Sequence, residues 1–306
     1  MKNTRSLERM TTQNEDGVRE FLTTRRAKVR PEQVDLPGGQ NRRVPGLRRG
    51  EVATLANVSV EYYSKLERGN LAGVSENILD AVARALLLDD AERDHLMDLA
   101  RAAKHPPAKQ QRRSSRGVTM RPTLQFILDS YTAGPAFVRN GRLDVLGANQ
   151  LGRAMYVDLY RGQSHPVNLA KFAFLDREHA DRFYPDWRLA AEQSVAILRV
   201  EAGRDPYSKE LQDLIGELST RSEEFRTMWG THNVRKHAAG TKNFHHPIVG
   251  DLTLLFEGAE LLADPGLSLL LYAAEPGSPT ADALKLLSTW AATQRAETRA
   301  EIISEA

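Results

Sequence analysis

Residues 47–69, LRRGEVATLANVSVEYYSKLERG, read as two short helices joined by a tight turn, and this reading decides the fold of the N-terminal part of the chain. The first helix spans about Leu47 to Ala56, with Val52, Ala53 and Ala56 on one side at i, i+1, i+4 spacing. Asn57 stands where the chain must turn, and asparagine is one of the few non-glycine residues that tolerate the left-handed conformation at a helix end. Val58 then plugs the space between the helices. Ser59 suits the N-cap of the second helix, its hydroxyl accepting from a free backbone N–H. In that helix Tyr63 and Leu66 fall three apart and face inward, while Val60, Glu61, Ser64 and Lys65 face outward. Gly69 ends it. Ala53 and Ala56 are small enough to let the second helix cross closely, as a helix-turn-helix requires if that helix is to enter a major groove.

The wider string RRVPGLRRGEVATLANVSVEYYSKLERG, residues 42–69, resembles the helix-turn-helix of the phage-repressor-like (XRE) transcription regulators, and most of all that of the MmyB-like regulators. An ordinary αα-hairpin is the alternative. The resemblance implies a double-stranded DNA operator as partner and a DNA-facing set of Arg42, Arg43, Arg49, Ser59, Val60, Glu61, Ser64 and Lys65. Within that set Arg49 takes the position at which repressor-like proteins touch phosphate, and Arg42 and Arg43 would anchor the preceding loop on the backbone. Glu61 suits a cytosine N4 donor and Lys65 a guanine O6 or N7 acceptor. A solvated surface charge is the alternative for each. Glu67 faces the first helix of the domain, and the resemblance implies a structural ion pair there with Arg26 or Arg25. Gly50 departs from the acidic residue usual in the family, at a helical position where glycine costs about 1 kcal/mol.

At 306 residues the chain has the length of about two domains. Its net charge of +2 hides an asymmetry: residues 1–116 carry 22 Lys+Arg against 16 Asp+Glu, and the remainder 20 against 24. A basic part holding the motif and an acidic remainder suit a DNA-binding head on a separate sensing body. With no cysteine, no disulfide, thiol nucleophile or thiolate metal site is possible. No apolar run reaches the roughly 18 residues of a membrane span, and the polar N-terminus lacks a signal-peptide core. A cytoplasmic protein without membrane contact is expected.

The predicted organisation is a five-helix head over 16–103, a basic linker over 104–121 and a second domain over 122–292. Residues 1–14 are polar and read as structureless. Val18, Phe21 and Leu22 open the first helix, a Pro- and Gly-bearing loop fills Val29 to Pro45, and Ser75 and Asp90 suit the caps of the last two helices. The linker carries Pro106-Pro107 and several arginines with no apolar period. Beyond it the pattern is α+β. Ala136–Arg139 and Leu143–Ala148 flank an Asn140-Gly141 hairpin signal, with further strands at 241–246, 250–262 and 267–274. Helices are predicted at 149–159, 177–182, 186–202, 208–219 and 222–232, and a closing helix follows Ser278. The fold class is therefore mainly α with α+β, the second domain a five-stranded antiparallel sheet with helices on one side, PAS-like. The strings AFVRNGRLDVLGAN, FYPDWRLAAEQSVAILR, SEEFRTMWGTHNVRKHAAGTKNFHHPIVGDLTLLFE and LYAAEPGSPTADALKLL resemble the MmyB-like ligand-binding domain over nearly its whole length.

That resemblance implies a small hydrophobic effector, fatty-acid-like in at least some relatives. Candidate ligand residues are Phe172, Trp187 and Trp229, with His232 and Arg235 as polar anchors; core packing is the alternative role for the aromatics. No Gly-x-Ser-x-Gly elbow and no phosphate-binding glycine loop occurs, and the paired His245-His246 would point to opposite faces of a strand. No catalytic residue, metal site or cofactor is expected, and no enzymatic activity. The expected protein is a homodimeric, ligand-responsive transcription regulator, its dimer contact formed by the second domain and the helix over 278–292. A protein-interaction module with a degenerate head and no sequence-specific DNA contact is the rival reading.

Overall fold

The computed structural model describes residues 2–37, 44, 46–104, 120–161, 166–231 and 239–304. Contacts divide the chain into two units. One holds Met1–Gly117, Leu198–Gly216 and Thr227–Lys236, and the other Val118–Ile197, Glu217–Arg226 and His237–Ala306.

The first unit is built on five helices: α1 (Lys2–Lys28), α2 (Arg49–Leu55), α3 (Val60–Glu67), α4 (Glu76–Ala85) and α5 (Asp90–Lys104). Helix α1 runs back to Lys2, so residues 2–14 are helical where polarity had suggested no structure; no proline or glycine interrupts the chain before Gly17. The stripe Val18, Phe21 and Leu22 is buried with Val52, Tyr63, Leu66, Leu79, Val82 and Leu96 in one core, each side chain contributing about 1.5–3 kcal/mol of gross burial. Helix α5 is capped one residue earlier than predicted. Asp89 Oδ1 accepts from the Glu92 N–H at 2.8 Å while Glu92 Oε2 accepts from the Asp89 N–H at 3.2 Å, a reciprocal capping box. A later stretch of chain joins the same unit. Val200 packs against this core, a Cβ on Gly203 would stand 2.6 Å from the His95 ring, and Arg204 Nε lies 3.4 Å from Asp98.

The second unit contains a six-stranded antiparallel sheet in the order β3-β2-β1-β6-β5-β4. Its strands are β1 (Ala136–Asn140), β2 (Asp144–Ala148), β3 (Val167–Asn168), β4 (Ala239–His246), β5 (Gly250–Glu260) and β6 (Leu267–Ala273). The sixth strand is β3, two residues that no periodic pattern announces. Around the sheet run α6 (Pro122–Ser130), α7 (Gln150–Met155), α8 (Val157–Tyr160), α9 (Leu169–Leu175), α10 (Arg177–Phe183), α11 (Trp187–Arg204), α12 (Lys209–Arg221), α13 (Glu223–Gly230) and α14 (Pro279–Ser304), of which α11 to α13 also carry the later segments of the first unit. Helix α14 packs on α7 and β5, burying Leu284, Leu287 and Ala291 at i, i+3, i+7.

The β1–β2 connection is longer than its Asn140-Gly141 signal suggested. Asn140 Oδ1 accepts from the N–H groups of both Arg142 and Asp144 at 3.0 Å, so the side chain holds a loop of three residues. The buried Leu143 adopts φ 69°, a left-handed conformation that costs a branched residue free energy. The register also slips between Val138 and Arg139, leaving Leu146 as an extra residue in β2. Two more buried asparagines fix this corner. Asn149 Oδ1 accepts from Ala136 and Gly152 while its amide donates to the carbonyls of Tyr131 and Gly134. Asn168 caps α9 and donates to Arg142 O and Asp144 Oδ1. Together they hold Arg139 and Leu143 at the inner face of the sheet.

Candidate nucleic-acid interface and ligand cavity

In the head, sequence-local chemistry produces the turn and the crossing. Asn57 has φ 53°, Ser59 Oγ accepts from the Tyr62 N–H at 3.0 Å, and Val52, Ala53, Ala56, Tyr63 and Leu66 are buried. Gly69 ends α3 at φ 100°, where a Cβ would strike the backbone of Glu15 at 2.5 Å. This leaves Ser59, Val60, Glu61 and Lys65 exposed and Ser64 partly so. Behind that face lies an ion-pair cluster. Glu67 is buried, and its carboxylate accepts from Arg26 Nε at 2.7 Å, from Arg49 Nε and from Thr23 Oγ1 at 3.4 Å. Arg26 is thus the partner of Glu67, whereas Arg25 pairs with Glu92 at 2.5 Å. The Glu67 carboxylate pushes the Arg49 guanidinium further toward its charged form, and the Arg49 side chain stays 56% exposed beside α3. Arg48, at the N-cap of α2, is exposed as well.

In the second unit the inner face of the sheet and one face of α11 enclose a cavity of about 260 Å³. Alternation along the strands decides who faces it. Phe137 and Arg139 come from β1, Leu270 and Tyr272 from β6, and Lys242 and Phe244 from β4; Leu189, Ala190, Gln193, Ser194 and Ile197 form the helical wall. Leu143 and Leu169 add apolar surface, and Gln193, Ser194, Thr241 and Asn243 add polar groups. The charged groups are few. Two cations line the cavity, Arg139 at 9% exposure and Lys242, whose ammonium rests 4.6 Å from the centre of the Phe256 ring. Burial, and after it the like charge of Arg139, pushes Lys242 down to about 8. Among the described residues no carboxylate pairs with Lys242. The lining carboxylate, Asp186, is exposed and accepts from the Leu189 N–H at 2.9 Å. Three phenols, Tyr156, Tyr184 and Tyr272, cluster on the wall, and burial pushes each of them up, Tyr272 to about 12.

Comparison with known families agrees with this division of labour. The model of the MmyB-like transcription regulator ligand binding domain matches residues 120–287, and a helix-turn-helix domain model matches residues 19–96. This chain belongs to the MmyB-like transcription regulators. It is a DNA-binding transcription regulator with a ligand-binding domain. No curated protein matches it, and among the described residues no helix is long and apolar enough to cross a membrane.

The regulator's cavity is not lined by the aromatics that its sequence singled out. Trp187 starts α11, but its Nε1 donates to the Ala173 carbonyl at 2.7 Å while Arg177 stacks 3.3 Å from its ring centre and Phe174 meets it edge-on. Trp229 lies in the first unit, stacked under the Arg199 guanidinium at 4.1 Å with its carbonyl accepting from the same side chain. Phe172 is core, edge-on to Phe183 and to the cavity residue Tyr184. His232, Arg235, Arg42 and Arg43 lie outside the described residues, as does most of the linker. The residues that sequence reasoning passed over are Arg139, Lys242 and the three tyrosines. A signal for Lys242 existed: it alternates with Phe244 and His246 on one face of a predicted strand, where a cation is out of place.

Proposed function

We propose that this regulator reads a pseudo-palindromic operator as a homodimer and that a small hydrophobic acid, fatty-acid-like, modulates its operator affinity from the cavity of the second unit. The observation that carries the effector reading is Lys242: a cation on the cavity wall, beside Arg139 and without a carboxylate partner among the described residues. An ammonium in that setting is stabilised by an anion from outside the chain. The acid group would sit on Lys242 and Arg139, and the carbon skeleton on Phe137, Leu143, Phe244 and Leu270. The effector would act by favouring one dimer geometry over another, which links its own affinity to that of DNA. Exposure of Val60, Glu61 and Lys65 on α3 supports base contact there, and the position of Arg49, held by Glu67, supports a phosphate contact. The closing helix, whose Leu286 is 65% exposed, is the proposed dimer contact.

The test is fluorescence anisotropy of the full chain on the intergenic DNA adjoining its own coding region, with and without dodecanoate. Sequence-selective, salt-dependent binding that shifts with dodecanoate is expected. Arg49→Ala should weaken binding to every sequence and flatten the salt slope by about one unit. Lys65→Ala should cost about 1–3 kcal/mol at a single base position. Equal affinity for operator and random DNA would refute the DNA reading and leave the protein-interaction alternative.

A further inference from the structure

Helix α11 has two tasks along one length. It runs unbroken from Trp187 to Arg204. On its first turns Leu189, Ala190, Gln193, Ser194 and Ile197 line the cavity of the second unit. From Leu198 onward the helix belongs to the first unit. There Val200 packs against the core of the head. Gly203 lies so close to α5 that a Cβ would stand 2.6 Å from the His95 ring, and Arg204 Nε lies 3.4 Å from Asp98 of the same helix. The contacts at each end stay within one unit, and the backbone of α11 is what joins them. Gln193, Ile197, Val200 and Arg204 follow one another at steps of four, three and four, so a single stripe of the helix serves both ends.

A hydrogen-bonded helix moves as a rod, and the step from Gln193 to Gly203 covers about 15 Å. A shift of about 1–2 Å, the size usual for switching helices, therefore reaches the far end. The joint it meets there has no slack. The His95 ring, with Gly203 against it, also meets Phe21 of α1 edge-on at 5.0 Å, and close-packed side chains pass on a displacement rather than absorb it. Helix α1 carries Arg26, whose ion pair with Glu67 seats α3.

We infer that α11 transmits effector binding to the DNA-binding head: an acid in the cavity displaces the helix, and Val200, Gly203 and Arg204 pass the displacement to α5 and α1. This rests on the reading of the cavity as an effector site and names the route by which that site regulates the head.

Hydrogen exchange of the full chain with and without dodecanoate tests it. Amides of β4, β6 and the first half of α11 report on the cavity, and those of α5 and of α1 near Phe21 report on the head. In the native protein dodecanoate is expected to change exchange at both, by about fivefold or more in α5, the lower end of allosteric couplings. Val200→Ala combined with Arg204→Ala should keep the change at the cavity and remove most of it in α5. Arg204→Ala alone, at a side chain 46% exposed, is the milder form should the pair fail to fold. A change confined to the cavity strands and residues 187–197 would overturn the inference while the acid site stands. A response in α5 that is undiminished in the variants would overturn it too. No change at either place would remove the acid site and this inference with it.

Discussion

Replacing Glu67 with alanine tests whether the head is held by the ion-pair cluster beneath α3. The carboxylate is 2% exposed and accepts from Arg26 Nε at 2.7 Å, from Arg49 Nε and from Thr23. Arg26 is 13% exposed and also donates to the Leu47 carbonyl at 2.8 Å. Removing Glu67 leaves that guanidinium largely buried and uncompensated, a loss of about 3–5 kcal/mol in comparable pairs. The Arg49 interaction adds little, since its side chain is 56% exposed and solvent screens it. The magnitude is therefore set by Arg26, at about 3 kcal/mol. In urea, with a slope of about 1–3 kcal/mol per molar, the head's midpoint should fall by roughly 1–3 M. Hydrogen exchange of peptides covering α1 to α3 along the urea series reads that transition separately from the second unit. Arg26→Ala in the same background should cost less than the sum of the two single changes, because the stranded cation is gone. An unmoved midpoint, or strictly additive losses, would refute the assignment of Glu67 as the counter-charge that Arg26 requires.

Gly50→Ala should raise stability by about 0.5–1 kcal/mol: the new Cβ meets only Val60 Cγ2 at 3.9 Å, and a lowered urea midpoint would contradict this. His246 is buried, with Nε2 against the Ala154 carbonyl at 3.0 Å and Nδ1 facing the Ile248 N–H at 3.1 Å, an arrangement for the neutral ring. Burial lowers its folded pKa below the unfolded value, so its contribution is complete above about pH 6.5 and is lost as pH falls through the folded value. His246→Gln should flatten the acid limb of stability against pH, and an unchanged limb would count against it. Lys242→Met should stabilise the ligand-free protein by about 0.5–2 kcal/mol and weaken dodecanoate binding, read by thermal shift with and without the acid; a destabilised protein that binds dodecanoate as before would reverse that reading.

The helix-turn-helix was legible because its chemistry is local. Asn57, Ser59, Tyr63, Leu66 and Gly69 act within one stretch of chain, and each does in space what its type suggests. The strands of the second unit were legible as elements for the same reason. The cavity was not, because Arg139, Lys242 and Tyr272 meet only when β1, β4 and β6 enter one sheet. Trp187 and Trp229 drew attention through ring size, yet the indole N–H of Trp187 found a backbone carbonyl, and cations stack on both rings. The short strand β3 and helix α9 depend on Asn168, whose side chain joins residues 142, 144, 170 and 171. No hydrophobic period encodes a junction of that kind.

Several buried polar groups hold the framework of this protein together. Glu67 with Arg26, and Asn140, Asn149 and Asn168 with their backbone partners, are enclosed and satisfied. Removing any of them strands a partner, so they specify one packing of helices and hairpin. Lys242 differs: it is half-buried on the cavity wall, and among the described residues no carboxylate pairs with it. It lines the same cavity as the left-handed Leu143. A fold consistent at nearly every other level gains nothing in stability from a half-buried cation without a carboxylate partner. In the function proposed above, an acid that enters the cavity supplies that counter-charge, and it shifts the equilibrium among the chain's conformations by its differential affinity for them.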